Sequence, residues 1–284
     1  MGIALSLAAS LLWGTADFLA GKASRRLPLL TVMLFSQLAG LLGLVLVAAF
    51  SRHLDLGAVG WGIAAGVTSL GSLACFYRAL AVGTMSIVAP IVATSAAVPV
   101  IGGFVVGERP GPVAVGGIVL ALVGVVLASR QRTRAPIRDH RLSMGLAVAA
   151  AFFLGLQLVF LHQAGQIDAL TGVSASRLTS VAVFALFAVV LRPAVSIRQL
   201  PGVALIGVLD TAANLAFTLA TLNGALSSVA ILSSLYPLVT VGLAYVQLHE
   251  RLSRTQLAGV AAAITAAGEY SDTRSWWWLC GTAG

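Results

Sequence analysis

Asp210 and Asn214 interrupt the apolar stretch "VALIGVLDTAANLAFTLA", residues 203–220, and stand one helical turn apart. That spacing puts both on one helix face. Arg177 interrupts a second stretch, "VSASRLTSVAVF", residues 173–184. In an apolar medium a carboxylate and a guanidinium have two uses. They neutralise each other and fix how two helices pack, or they hold a solute. Arg177 then suits an anionic group, and Asp210 a cationic group or a proton. The two runs read as antiparallel neighbours, with the two residues about five positions apart in depth. That is roughly 7 Å at 1.5 Å per residue, within reach of an arginine side chain.

A second group gathers in "LLWGTADFLAGKASRR", residues 11–26, where Trp13 precedes Asp17 by one turn. Arg78, in "FYRALAVG", lies as far from the end of its own apolar run on the same side, so Asp17–Arg78 is a candidate pair. The competing reading is that both reach out to the interface. Trp13, Tyr77 and Tyr236 suit the wall of an aromatic cavity, and equally an interfacial belt. Gln157 is a polar residue inside an apolar run, fitted to a solute or to a neighbouring helix. The Glu108–Arg109 and Glu250–Arg251 pairs sit in tight connections, which suggests a turn or a helix-start role, with each carboxylate near the next helix N-terminus. His162 reads as interfacial. The sequence holds no phosphate-binding loop, no zinc-ligand spacing and no Ser-His-Asp set, so no enzyme activity, cofactor or metal is expected. Cys75 and Cys280 make no disulfide framework.

The elements that must position these residues follow from composition. Of 284 residues, 59% are hydrophobic and 9% charged, and the mean hydropathy is +1.00. Globular domains are about 45–50% apolar and about 25% charged. A membrane helix needs about 20 apolar residues, and such runs recur along the whole chain. The expected fold is all-α, a polytopic membrane protein of about ten transmembrane helices. The expected spans are 2–20, 29–50, 58–80, 85–106, 112–129, 144–163, 171–191, 201–221, 226–247 and 255–268. Continuous Leu, Val and Ala runs exclude a β-barrel, whose strands alternate. Residues 2–20 read as the first span rather than a signal peptide.

The halves resemble each other. "LLWGTADF" (11–18) resembles "FLGLQLVF" (153–160) with Gly14 paired to Gly155, and "FYRALAVG" (76–83) aligns with "FTLATLNG" (217–224), both pairings at an offset of 141. "GERP" (107–110) aligns with "HERL" (249–252) at 142. The expected organisation is a first five-helix repeat at 1–129, a basic loop at 130–143, a second repeat at 144–268 and an atypical tail at 269–284. An odd number of crossings inverts the second copy. Inverted repeats are the mark of many secondary transporters, with the solute site near the midplane between them.

The net charge of +8 does not point to nucleic acid, because the basic residues sit in short loops where they set topology. Twelve Lys and Arg fall on the side that holds Lys22, Arg130 and Arg192, against Arg52, Arg109 and Arg274 on the other. That count makes the first side cytoplasmic and puts both termini outside. The tail carries Glu269, Asp272, Arg274 and three tryptophans. It reads either as an interfacial anchor or as a replaced helix end.

"LLWGTADFLAGKASRRLP", "FYRALAVGTMSIVAPI", "GER" and "LSSLYPLVTVGLAYVQLHERLSRTQLAGVAAAITAAG" together resemble an EamA-type member of the drug/metabolite transporter superfamily. The likeness covers about residues 3–268. It implies ten helices in two inverted repeats, export of small metabolites or drugs, and both termini in the cytoplasm, opposite to the charge count. The expected protein is therefore a multi-pass transporter of the cell inner (plasma) membrane that works by alternating access. Its expected partners are the lipid bilayer and a small-molecule solute, with a proton and a homodimer mate as further candidates and no nucleic acid. The alternative is an integral membrane protein without transport, a lipid-modifying enzyme or a scaffold.

Overall fold

The computed structural model describes residues 1–24, 26–50, 55–83, 85–105, 107–108, 112–128, 139–192, 200–248 and 258–259. Among them the chain forms helices α1 (Gly2–Ser24), α2 (Leu29–Phe50), α3 (Val59–Val82), α4 (Met85–Val92) and α5 (Ala97–Val105). Then come α6 (Pro112–Ala128), α7 (His140–Leu191), α8 (Leu200–Thr221), α9 (Leu226–Ser233) and α10 (Tyr236–Leu248). No described residue is in a strand. The tenth expected span lies outside the described residues apart from Ala258 and Gly259, as do the tail and Arg109, Glu250 and Arg251.

Among the described residues, seven helical stretches are long and apolar enough to cross a membrane. The arrangement of side chains fits that solvent. Leu46, Val189 and Val190 point outward at 66%, 73% and 71% exposure, while Ser6, Thr31, Ser143 and Thr218 are wholly buried. Large apolar residues face lipid, and small and hydroxyl residues let helices approach each other.

Three expected boundaries change. The first is α7, which joins the sixth and seventh expected spans. Its 52 residues would extend about 78 Å at 1.5 Å per residue, against a hydrocarbon core of about 30 Å. The helix folds back at Asp168, whose backbone is extended (φ −154°, ψ 111°). The expected loop between 163 and 171 thus narrows to one non-helical residue. Asp168 makes this turn because its carboxylate accepts the Leu170 N–H (2.9 Å) and the Thr171 hydroxyl (2.8 Å), capping the second arm. Gly172 leaves room for Ala164 of the first arm.

The second and third changes are breaks in the fourth and ninth spans, read from sequence as continuous. Residues Ala93–Ala96 form a 3-10 turn between α4 and α5, and Ser234 and Leu235 form a turn between α9 and α10. Pro99 has no N–H for the Ser95 carbonyl, and Pro237 none for that of Ser233, so each removes one helical hydrogen bond at the break.

The breaks sit against glycines 141 residues apart. A Cβ on Gly14 would overlap the Tyr236 carbonyl oxygen and Val239, and one on Gly155 the Ser95 carbonyl oxygen and Val98. Both partners are also 141 apart. A second set crosses between other helices. Gly66 of α3 lies on the Ser176 carbonyl of α7, and Gly207 of α8 on the Ser36 carbonyl of α2. Their offsets are 141 and 140. Helices of one half therefore pack on helices of the other through matching positions.

Candidate functional site

Asp210 stands ten residues after Leu200 and eleven before Thr221, about 15 Å from either end of α8. An Arg177 Nη2 lies 2.6 Å from its Oδ2. The other terminal nitrogen, Nη1, donates to Gln37 Oε1 of α2 at 2.5 Å. Arg177 is 6% exposed. A buried guanidinium needs such an arrangement, since an unpaired charge at this depth is costly. The close crossing of α2 and α8 at Gly207 and Gly40 holds Gln37 opposite the pair.

Asn214 is buried, and its side-chain amide donates to the Asp210 backbone carbonyl at 2.7 Å. One of its N–H groups thus braces α8. Asp17 of α1 is exposed and lies within electrostatic reach of Asp210 of α8, Tyr77 of α3 and Tyr236 of α10. Trp13, one turn before Asp17, meets the Phe217 ring at 5.8 Å and the Tyr236 ring edge-on at 6.2 Å. The expected Asp17–Arg78 pair is not formed. Arg78 is exposed, and an arginine near a helix end reaches water by its own flexible stem. Gln157 is half-buried and makes no hydrogen bond with the described residues.

The structure thus brings together Asp210, Arg177, Asn214, Asp17, Trp13, Tyr77 and Tyr236 on five helices, and leaves Arg78 and Gln157 apart. It adds Gln37 and Phe217. The signal for Gln37 was present, a lone amide in the middle of the apolar run 29–50.

Glu108 departs from the expected role. Its carboxylate accepts the N–H groups of Leu226 and Ser227 at 2.5 and 3.1 Å, the start of α9 and not of the following α6. It is a helix-start residue for the other half of the chain. The model of the EamA-like transporter family matches residues 1–130 and again residues 141–268. The chain belongs to the EamA-like transporter family. One solved structure, described only as the crystal structure of a protein, aligns with a TM-score of 0.80 at 18% identity. The alignment covers 95% of this chain and 96% of that one. At that identity the likeness speaks for the fold alone. No curated protein matches the chain. Membership makes this a multi-pass membrane protein of a transporter family, and its charged residues acquire a setting in which solute contact is the ordinary use of an intramembrane charge.

On the opposite side from the Asp17 end of α1, an open cleft of about 970 Å³ is lined by Val47, Asp55, Ile167, Asp168, Leu215 and Leu222, among others. Asp168 Oδ2 accepts the Asp55 N–H at 3.1 Å across it. The first arm of α7, residues 140–167, spans about 42 Å, so this turn lies beyond the hydrocarbon. Partial burial pushes the Asp168 carboxyl up. The hydrogen bonds from the Thr171 hydroxyl and from the Asp55, Thr171 and Leu170 N–H groups outweigh it and hold the group below the usual carboxylate value.

Proposed function

We propose that this EamA-like protein is a secondary transporter that exports or exchanges a small solute by alternating access, with protons as a candidate coupling ion, in the cell inner membrane. In this reading the chain makes ten spans in two inverted five-helix repeats, 1–129 and 144–268, joined by the basic loop 130–143, with 269–284 as a tail. The matched offsets of the Gly14, Gly155, Gly66 and Gly207 contacts support the repeats. The paired breaks of the fourth and ninth spans support a site between them, since interrupted helices mark solute sites in transporters of this architecture. The observation that carries the reading is the Arg177–Asp210 pair with Gln37, placed halfway along α8.

The test is flux in sealed proteoliposomes, screened over amino acids, nucleosides and cationic dyes with and without a pH gradient. Wild type moves at least one solute class. Asp210→Asn, reconstituted at equal density and still folded, lowers that flux by more than about tenfold, the loss of one charge-assisted contact. Gradient-dependent flux establishes proton coupling, and flux without it establishes exchange or facilitated passage. No flux from folded wild-type protein overturns the reading in favour of a lipid-modifying enzyme or a scaffold.

A further inference from the structure

Among the described residues, the space bounded by α1, α3, α8 and α10 holds one carboxylate without a partner. Asp17 is exposed, yet its electrostatic neighbours belong to three other helices. Asp17 therefore faces the space between these helices. It makes no ion pair and no hydrogen bond with the described residues. The other charges there are matched. Arg177 gives one N–H to Asp210 and one to Gln37, and is itself buried. Asp210 and Arg177 cancel, so among the described residues the net formal charge there is that of Asp17.

The uncharged wall beside Asp17 is aromatic. Trp13 lies one turn away on the same face, with Phe217 at 5.8 Å and Tyr236 at 6.2 Å. Ring faces attract cations, most strongly where water is excluded. An anion entering this space would meet Asp17 and would have to take Arg177 from Asp210. A neutral solute would leave Asp17 without a counter-charge at membrane depth, which is costly.

We infer that the solute is an organic cation, its charge on the Asp17 carboxylate and its apolar groups against Trp13, Phe217 and Tyr236. This inference rests on the transport reading of the same space. It also assigns the two halves of the site different tasks. Arg177, Asp210 and Gln37 hold the helices in register, and Asp17 with the aromatic wall selects.

The test uses the full chain in lipid nanodiscs and equilibrium dialysis with three probes of similar size: benzyltrimethylammonium, neutral N-benzylacetamide and anionic phenylacetate. Wild type binds the cation at least about tenfold more tightly than either other probe. Asp17→Asn erases that preference, and Asp17→Glu keeps it. Trp13→Leu weakens cation binding by about threefold to tenfold without admitting phenylacetate. Equal or tighter binding of phenylacetate or N-benzylacetamide overturns the inference, as does a cation preference that survives Asp17→Asn. Should Asp17→Asn not fold, the wild-type ranking and Trp13→Leu decide. Flux of the same probes in proteoliposomes separates the two readings. Cation binding without flux upholds the inference and overturns transport. Flux of the anion or the amide in preference to the cation upholds transport and overturns the inference.

Discussion

Arg177 is buried with two partners, and this fixes what each substitution does. Asp210→Ala leaves the guanidinium buried with Gln37 alone, at a cost of about 3–5 kcal/mol. Arg177→Met with Asp210→Leu removes both charges and recovers most of that stability, because an apolar pair of similar volume replaces an ion pair at little net cost. Flux stays lost in the double variant if the pair orders the site. Thermal unfolding in detergent of wild type, Arg177→Met, Asp210→Leu and the double variant gives the coupling. At the membrane face, Asp168 makes stability depend on pH. Its folded carboxyl titrates below the unfolded value of about 3.9. Its contribution is therefore complete above that value and is lost as pH falls through the lower folded one. Asp168→Asn, which weakens the cap and its Asp55 contact, should melt lower than wild type at neutral pH by about 1 kcal/mol. The gap should close below about pH 4. The sequence exposes the Arg177–Asp210 pair because a charge amid apolar residues has so few tolerable settings. It does not expose Gln37, since an amide has many ordinary uses and this one acts only opposite a residue 140 positions away.

Among the elements, α2 contains its own control. A Cβ on Gly40 would overlap the Thr211 hydroxyl and crowd the Gly207 carbonyl, whereas one on Gly43 meets nothing within 4 Å. Gly40→Ala must part α2 from α8 and should destabilise the fold by about 1–3 kcal/mol. Gly43→Ala should be neutral or stabilising by up to about 1 kcal/mol, through helix propensity alone. Melting of the two variants checks this, and equal effects would mean that α2 and α8 do not cross at Gly40. Helix length and position are legible in the sequence because an unbroken apolar run of membrane length has one stable form. The interruptions at 93–96 and 234–235 are not, because hydropathy continues through them and membrane helices tolerate proline when neighbours satisfy the freed carbonyls. The turn at Asp168 was half legible. Asp168 and Thr171 have the spacing of a cap, but nothing local says that the preceding helix continues to its threshold.

For the whole molecule, repeated motifs reveal which positions correspond, not which surfaces meet. "GTADF" and "GLQLVF" align without disclosing that Gly14 packs on Tyr236 of the other half and Gly155 on Ser95. Glu108 shows the same limit. Its neighbours in sequence suggest α6, and it caps α9. Ser36 and Ser176 are matched positions, 140 apart, and so are their neighbours Gln37 and Arg177. Gln37 and Arg177 touch. Under the proposed inversion a residue can meet its own counterpart only on the rotation axis, and an axis in the membrane plane is equally far from both faces. Arg177 then sits at half the electrical distance across the bilayer, and it stays there when the halves exchange shapes. Moving a full charge through the membrane field is worth about 2.3 kcal/mol per 100 mV, and Arg177 moves through none of it. Under that inversion, voltage dependence of flux belongs to charges away from the axis, such as the solute and Asp17, and the arginine that holds the helices in register is electrically silent.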